Sequence, residues 1–329
     1  MTIAVFHKLL AIFLTVALGY AAGRMRWLGS GTDASDPARV LGNAAFYIFV
    51  PALLFRTAAR LDFATLPWGT VVAFFVPVLA LLLAVYAWQR LSGAAARDGV
   101  AAPAVRAITV SFGNSVQLGI PIAAALFGEA GLAIHIALVS LHALVLLSVL
   151  TALVETDLAR DQARRGEAAG LGPMLLTTLR NTVIHPVVLP IVAGLAWNLT
   201  GIGLHPVADE TLQLMGSAVV PVCLVLIGLS LAYYGLQGRG RGAAGLSVIK
   251  LLVSPALVLA VAHWGFGLSG MALSVVVMMA ALPVGSNALI FAQRYATLQS
   301  EATAAIVFST VGFAATASLW LAVLAWLSG

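Results

Sequence analysis

Long apolar runs separated by short polar stretches set the rhythm of this chain. An α-helix needs about 20 apolar residues to cross the hydrocarbon core of a bilayer. Ten runs of roughly that kind can be traced: 3–23, 40–55, 68–88, 103–127, 132–154, 173–198, 212–234, 246–263, 269–294 and 303–327. The pattern predicts an all-α polytopic membrane protein of ten transmembrane helices.

Two of these runs do not read as plain spans. Ser111 to Phe127 carries Gly113, Asn114, Ser115, Gln117, Gly119 and Pro121 at its middle, where leucine would be ordinary. Ala281 to Phe291 repeats the pattern with Pro283, Gly285, Ser286 and Asn287. A backbone N–H or C=O left unpaired in hydrocarbon costs several kcal/mol, so a broken helix persists there only where it lines a space enclosed by protein. Proline kinks in ordinary packed helices are the competing reading, since Gly and Pro are more frequent in membrane helices than in soluble ones. Two breaks in corresponding places, each beside an asparagine, favour a binding site.

The longest polar connection, residues 155–172, separates a first group of five runs (1–154) from a second (173–329). An odd number of crossings per half inverts the second repeat relative to the first. Pro51 and Pro221 fall in the second run of each half, Pro121 and Pro283 in the fourth.

Charge then orients the chain. All but Lys8, Arg56 and Arg60 of the 17 Lys and Arg residues fall on alternate loops and helix ends, which marks those loops as cytoplasmic and puts both termini outside. On this count Lys250 belongs to a cytoplasmic helix end. The first run lacks a basic stretch before it and is followed by Arg24 and Arg26, which favours a true span over a secretory signal.

Composition closes off other classes. With 61% hydrophobic and 9% charged residues, the chain is far from a soluble domain, in which about a quarter of residues are charged. The basic residues follow the loops and form no single basic face, so nucleic acid is not an expected partner. The lone Cys223 has neither a disulfide partner nor metal-ligand spacing. No cofactor motif, H-E-x-x-H metal motif or Ser/His pair with an orienting carboxylate is present, so an enzyme is not expected.

The broken runs have chemistry of their own. Pro121 and Pro283 are suited to open new half-helices, because the first helical position has no use for an N–H. Entering from opposite faces, the two half-helices would aim their electropositive N-termini at one point, a seat for an anion. Asn114 and Asn287 can donate to the same ligand while their carbonyls hold the break together, with Ser115, Gln117, Gly119 and Ser286 in support. The first halves end there with free carbonyls that suit a cation. Acidic residues sit near span ends, which leaves no carboxylate proton relay; His142 and His185 are the candidates for coupling a proton, and His135 reads as interfacial.

Several motifs together resemble the auxin efflux carrier family. They include Gly19-Tyr20-Ala21-Ala22-Gly23-Arg24, Asn43, Pro51-Ala52-Leu53-Leu54-Phe55 and Asn114 with Gly119-Ile120-Pro121 and Phe127-Gly128. In the second half they continue with Pro186 and Gly194, Pro221 to Gly228-Leu229-Ser230-Leu231, Lys250-Leu251-Leu252-Val253-Ser254-Pro255, and Pro283 with Asn287 and Tyr295. The resemblance spans the chain. It implies scaffold helices 1, 2, 6 and 7, transport helices 3–5 and 8–10, homodimerisation, and an elevator-type movement carrying a small organic anion. His185-Pro186 departs from the Asn-Pro of many members. The expected protein is thus a secondary transporter of a carboxylate, such as malonate, malate or an auxin-like acid, in a bacterial inner membrane, with a coupled proton or sodium as a further partner. An anion channel through the same broken helices is the alternative.

Overall fold

A computed structural model describes residues 3–29, 36–61, 66–165, 184, 186, 188–234 and 240–328. The described chain is helical, and its only extended pairing is one isolated bridge, Gly113 to Val284. Its principal helices are α1 (Ile3–Arg24), α2 (Pro37–Ala59), α3 (Trp68–Leu91), α4 (Ala102–Ser111), α5 (Ile120–Arg164), α6 (Val188–Leu199), α7 (Pro206–Tyr233), α8 (Gly240–Gly265), α9 (Gly270–Ala281), α10 (Asn287–Arg294) and α11 (Gln299–Ser328). Among the described residues, six of them, α2, α3, α5, α7, α8 and α11, are long and apolar enough to cross a membrane, and α6 and α9 are apolar but shorter. The chain is an all-α membrane protein, as its apolar rhythm predicts.

The fourth and ninth expected spans are each cut in two. The fourth consists of α4, a break, and the arm of α5 up to Phe127; the ninth is α9, a break and α10. The fifth begins where α5 turns at Gly128, with φ 62° and ψ −160°, a conformation open essentially to glycine alone. Much of the sixth expected span, including His185, lies outside the described residues.

Proline shapes three spans in the same manner. A π turn ends two residues before Pro51 (Ala45–Phe49), before Pro121 (Ser115–Gly119) and before Pro255 (Ile249–Val253). The ring crowds the carbonyl four residues back and supplies no N–H to it, so the turn opens. At Pro255 that carbonyl belongs to Leu251, and the Trp320 indole Nε1 donates to it at 2.8 Å from α11. A carbonyl abandoned by one helix is thereby satisfied by another, which a lipid-facing kink could not arrange.

Small residues set the helix crossings. A Cβ on Gly228 would stand 2.1 Å from the Val16 carbonyl oxygen, and one on Gly19 would stand 2.2 Å from that of Val225, so α1 and α7 touch backbone to backbone. Gly194 likewise lets α6 close on Phe55 of α2, and α2 also packs on α7. Elsewhere α3 lies along α4 and α8 along α11, while α9 is enclosed by α3, α5, α8 and α11.

The buried carboxylates Glu301 and Asp157 are paired across helices. Arg106 of α4 reaches Glu301 of α11 at 2.7 Å and Asp98 at 2.9 Å. Asp157 of α5 accepts from the Tyr86 hydroxyl at 2.6 Å and from Arg90 at 2.9 Å, both on α3.

Candidate functional site

The two breaks meet. After Ser111 the chain runs extended through Phe112 and Gly113, antiparallel to Pro283–Gly285. The Asn114 N–H donates to the Pro283 carbonyl at 2.8 Å, and the Gly285 N–H donates to that of Phe112, also at 2.8 Å. Between them the Val284 N–H donates to Ser309 Oγ of α11 at 3.0 Å. Each unwound segment thus supplies the partners that the other lost, the condition for irregular backbone at membrane depth.

Gly285 makes this approach possible: a Cβ there would lie 2.8 Å from the Gly113 carbonyl oxygen. Gly119 does the same for a histidine, since its Cβ would fall 2.6 Å from His135 Nε2. His135 is not interfacial. It is 2% exposed, and its Nε2–H donates to the Ser115 carbonyl at 2.8 Å, filling an acceptor at the break. His142, two turns along the same helix face, is buried against the Phe112 ring at 4.4 Å, with Nδ1 3.3 Å from Ser115 Oγ. Its Nε2 has no hydrogen-bond partner among the described residues.

The half-helix starts differ from expectation. Winding resumes at Ser115, so Pro121 lies beyond the first turn of its half-helix; Pro283 sits within the extended crossing and Asn287 begins α10. Among the described residues, backbone pairs and Ser309 hold the breaks, and the Asn114 and Asn287 side-chain carbonyls take no part. The Gln117 and Pro121 side chains lie outside the described residues.

A cavity of about 540 Å³ opens on one side of the crossing. Asn114, Ser115, Ser286 and Asn287 line it together with Gly113 and Gly285, and α2 and α7 close it with Leu53, Arg56, Gln213 and Gly216. Its mouth carries charge: Arg56 pairs with Asp209 at 2.8 Å and donates to Gln213 at 2.9 Å, while Arg60 pairs with Asp209 at 2.7 Å. A second cavity of about 280 Å³, mostly apolar, is lined by Val16, Tyr20, Leu224, Leu231 and Thr310, and it too reaches Asn114 and Ser286. Successive stretches of α7, 212–220 and 224–231, line the two, so they are stacked along that helix.

One residue at the crossing escaped the reading of the sequence. Lys250, assigned by charge counting to a helix end, stands ten residues into α8, about 15 Å from its start, and is 1% exposed. Its Nζ donates to the Ala280 carbonyl in the last turn of α9 at 2.5 Å. The available signal was a lone lysine inside an otherwise apolar run.

Broken helices, bonded to each other and bordered by cavities, are the architecture in which membrane transport proteins hold their cargo. Comparison with known proteins agrees, for residues 4–321 match the family model described as membrane transport protein. The chain belongs to that family, the one that holds the auxin efflux carriers, as its motifs led us to expect. It is 25% identical over 326 residues to an uncharacterised transporter of Methanothermobacter thermautotrophicus, covering 97% of this chain and 98% of that one. A protein of Rhizobium meliloti provisionally named a malonate transporter is 23% identical over 318 residues, covering 92% and 90%. Auxin efflux carrier component 3a of Oryza sativa subsp. japonica is 27% identical over 141 residues, 41% of this chain and 23% of its own.

Proposed function

We infer that the protein is a secondary transporter of a small organic anion, a carboxylate of the malonate, malate or auxin-like kind, seated at the crossing of the two broken helices. The observation that carries this reading is the meeting of the half-helix starts at Ser115 and Asn287 on one cavity. The Ser286 and Asn287 N–H groups have no acceptor among the described residues, and a helix start with free N–H groups attracts negative charge. Asn114, Ser115 and Ser286 add polar contacts, with Gln117, Gly119, Pro121 and Pro283 shaping the breaks. Arg56 at the cavity mouth draws anions in.

The reading extends to mechanism. Ten spans form two inverted five-helix repeats, residues 1–154 and 173–329 joined by a cytoplasmic linker, 155–172. Spans 1, 2, 6 and 7 form a scaffold, which the packing of α1 on α7 and of α2 on α6 and α7 supports. The remaining spans carry the crossing past that scaffold in an elevator movement, and the protein works as a homodimer in a bacterial inner membrane with both termini outside. Two separate cavities reaching the same Asn114 and Ser286 support alternating exposure over a continuous pore.

Uptake of labelled mono- and dicarboxylates into liposomes, with proton and sodium gradients imposed separately, tests this reading. Saturable flux stimulated by internal substrate is expected. Linear flux with single-channel currents would replace the carrier by a channel, and no flux of any carboxylate would remove the substrate assignment. His142 is the residue through which we expect a proton gradient to act; His185 lies outside the described residues.

A further inference from the structure

The end of α9 is an unusual place to find a charge. Ala281 is its last helical residue, and the helix stops inside the packed protein. The last four carbonyls of a helix have no intrahelical donor and together carry about half a negative charge. Water does not reach them, since Val277, Met278, Met279, Ala280 and Ala281 are each 3% exposed or less. In broken membrane helices such carbonyl ends coordinate sodium.

Here a side chain is already present. The Lys250 Nζ reaches the end of α9 from α8 and donates to the Ala280 carbonyl at 2.5 Å. Gly113, on the other broken helix, borders the same point: a Cβ at that position would make ordinary contact with Nζ at 3.6 Å and with the Met279 carbonyl oxygen at 3.5 Å. Among the described residues no carboxylate pairs with Lys250. An ammonium buried without a counter-ion costs several kcal/mol, so the helix end is what holds it. The π turn at Ile249–Val253, opened ahead of Pro255, is the segment that presents Lys250 there.

We propose that Lys250 is a resident cation: its ammonium occupies the seat that the carbonyl end of α9 would otherwise offer to sodium, so the transport cycle needs no sodium ion. The tethered charge also stands beside Gly113, one residue from Asn114, where it adds to the attraction for an anion. This inference rests on the anion-carrier reading for its meaning in transport, but its test does not require a substrate.

The test compares thermal unfolding of the purified full-length protein in sodium, methylammonium and choline chloride at equal ionic strength. Three proteins are needed: the wild type, Lys250→Ala, which empties the seat, and Lys250→Met, which fills the space without charge. The wild-type midpoint should be the same in all three salts. Lys250→Ala should unfold several degrees lower in choline and regain at least half of that loss in sodium or methylammonium, whereas Lys250→Met should stay low throughout. Rescue by a small cation is something a lysine needed merely for packing would not show. Sodium-specific stabilisation of the wild type, or a Lys250→Ala protein indifferent to both small cations, overturns the inference. Should Lys250→Ala fail to accumulate, the wild type's response to sodium decides alone. A negative uptake panel would sink the anion reading while leaving these results intact.

Discussion

The Asn114 N–H donates to the Pro283 carbonyl at 2.8 Å, and this bond joins the two halves of the chain at the point where each has lost its own helix. A residue from the first break and one from the second complete each other's backbone. The site is therefore a product of both halves and cannot form in either alone.

Closeness at the crossing is the first thing to test. Gly285→Ala would force a Cβ to 2.8 Å from the Gly113 carbonyl oxygen and 3.0 Å from the Phe112 ring. Overpacking of a well-filled interior costs about 1–3 kcal/mol, so the variant should show a lower unfolding midpoint and little transport. A variant with wild-type stability would show that the crossing has slack.

Asn114 and Asn287 should separate folding from transport. Neither side chain holds a break, and both line the 540 Å³ cavity. Asn114→Ala and Asn287→Ala are expected to elute as the wild type does in size-exclusion chromatography while losing uptake. Unimpaired flux in both would refute their place in the site.

Removing the carboxylate at the cavity mouth should act in the opposite direction. Asp209 holds both Arg56 and Arg60, so Asp209→Asn frees two guanidinium groups beside the cavity. Initial uptake rates at low anion concentration should rise and fall more steeply with added salt. Arg56→Gln should raise the half-saturating concentration.

Trp320 offers a purely structural check. Its indole N–H serves the Leu251 carbonyl that Pro255 leaves without a donor. Trp320→Phe strands that buried carbonyl, at a cost of about 1–3 kcal/mol, and should lower the unfolding midpoint without altering anion selectivity.

The α1–α7 contact should be the least forgiving. Gly228→Leu would drive a side chain into the Val16 carbonyl and the Tyr20 N–H, 2.1 and 2.5 Å from the new Cβ. Backbone atoms on both sides cannot give way, so loss of folded protein in membranes is expected, measured by fluorescence-detected chromatography.

Much of this was legible along the chain because the bilayer acts on each stretch locally. Twenty apolar residues must form a helix whatever surrounds them, and Gly113, Asn114 and Gly285 in such a run announce a break, since hydrocarbon tolerates no unpaired backbone. Gly19 and Gly228 stood in the sequence only as parts of the family motifs; that they let α1 and α7 touch is visible in the fold alone. What a linear reading could not supply was the partner of each exception. Pro283 looked like the start of a half-helix and is part of the extended crossing. His135 looked interfacial and is bonded to the Ser115 carbonyl, in a space that Gly119 keeps open. Lys250 was counted among the charges of a helix end, yet it is buried against Ala280. Hydropathy and charge are properties of a segment and survive without neighbours. A hydrogen bond between α8 and α9, or between two breaks in opposite halves, exists only when packing has brought them together, and that was decided by the folded protein.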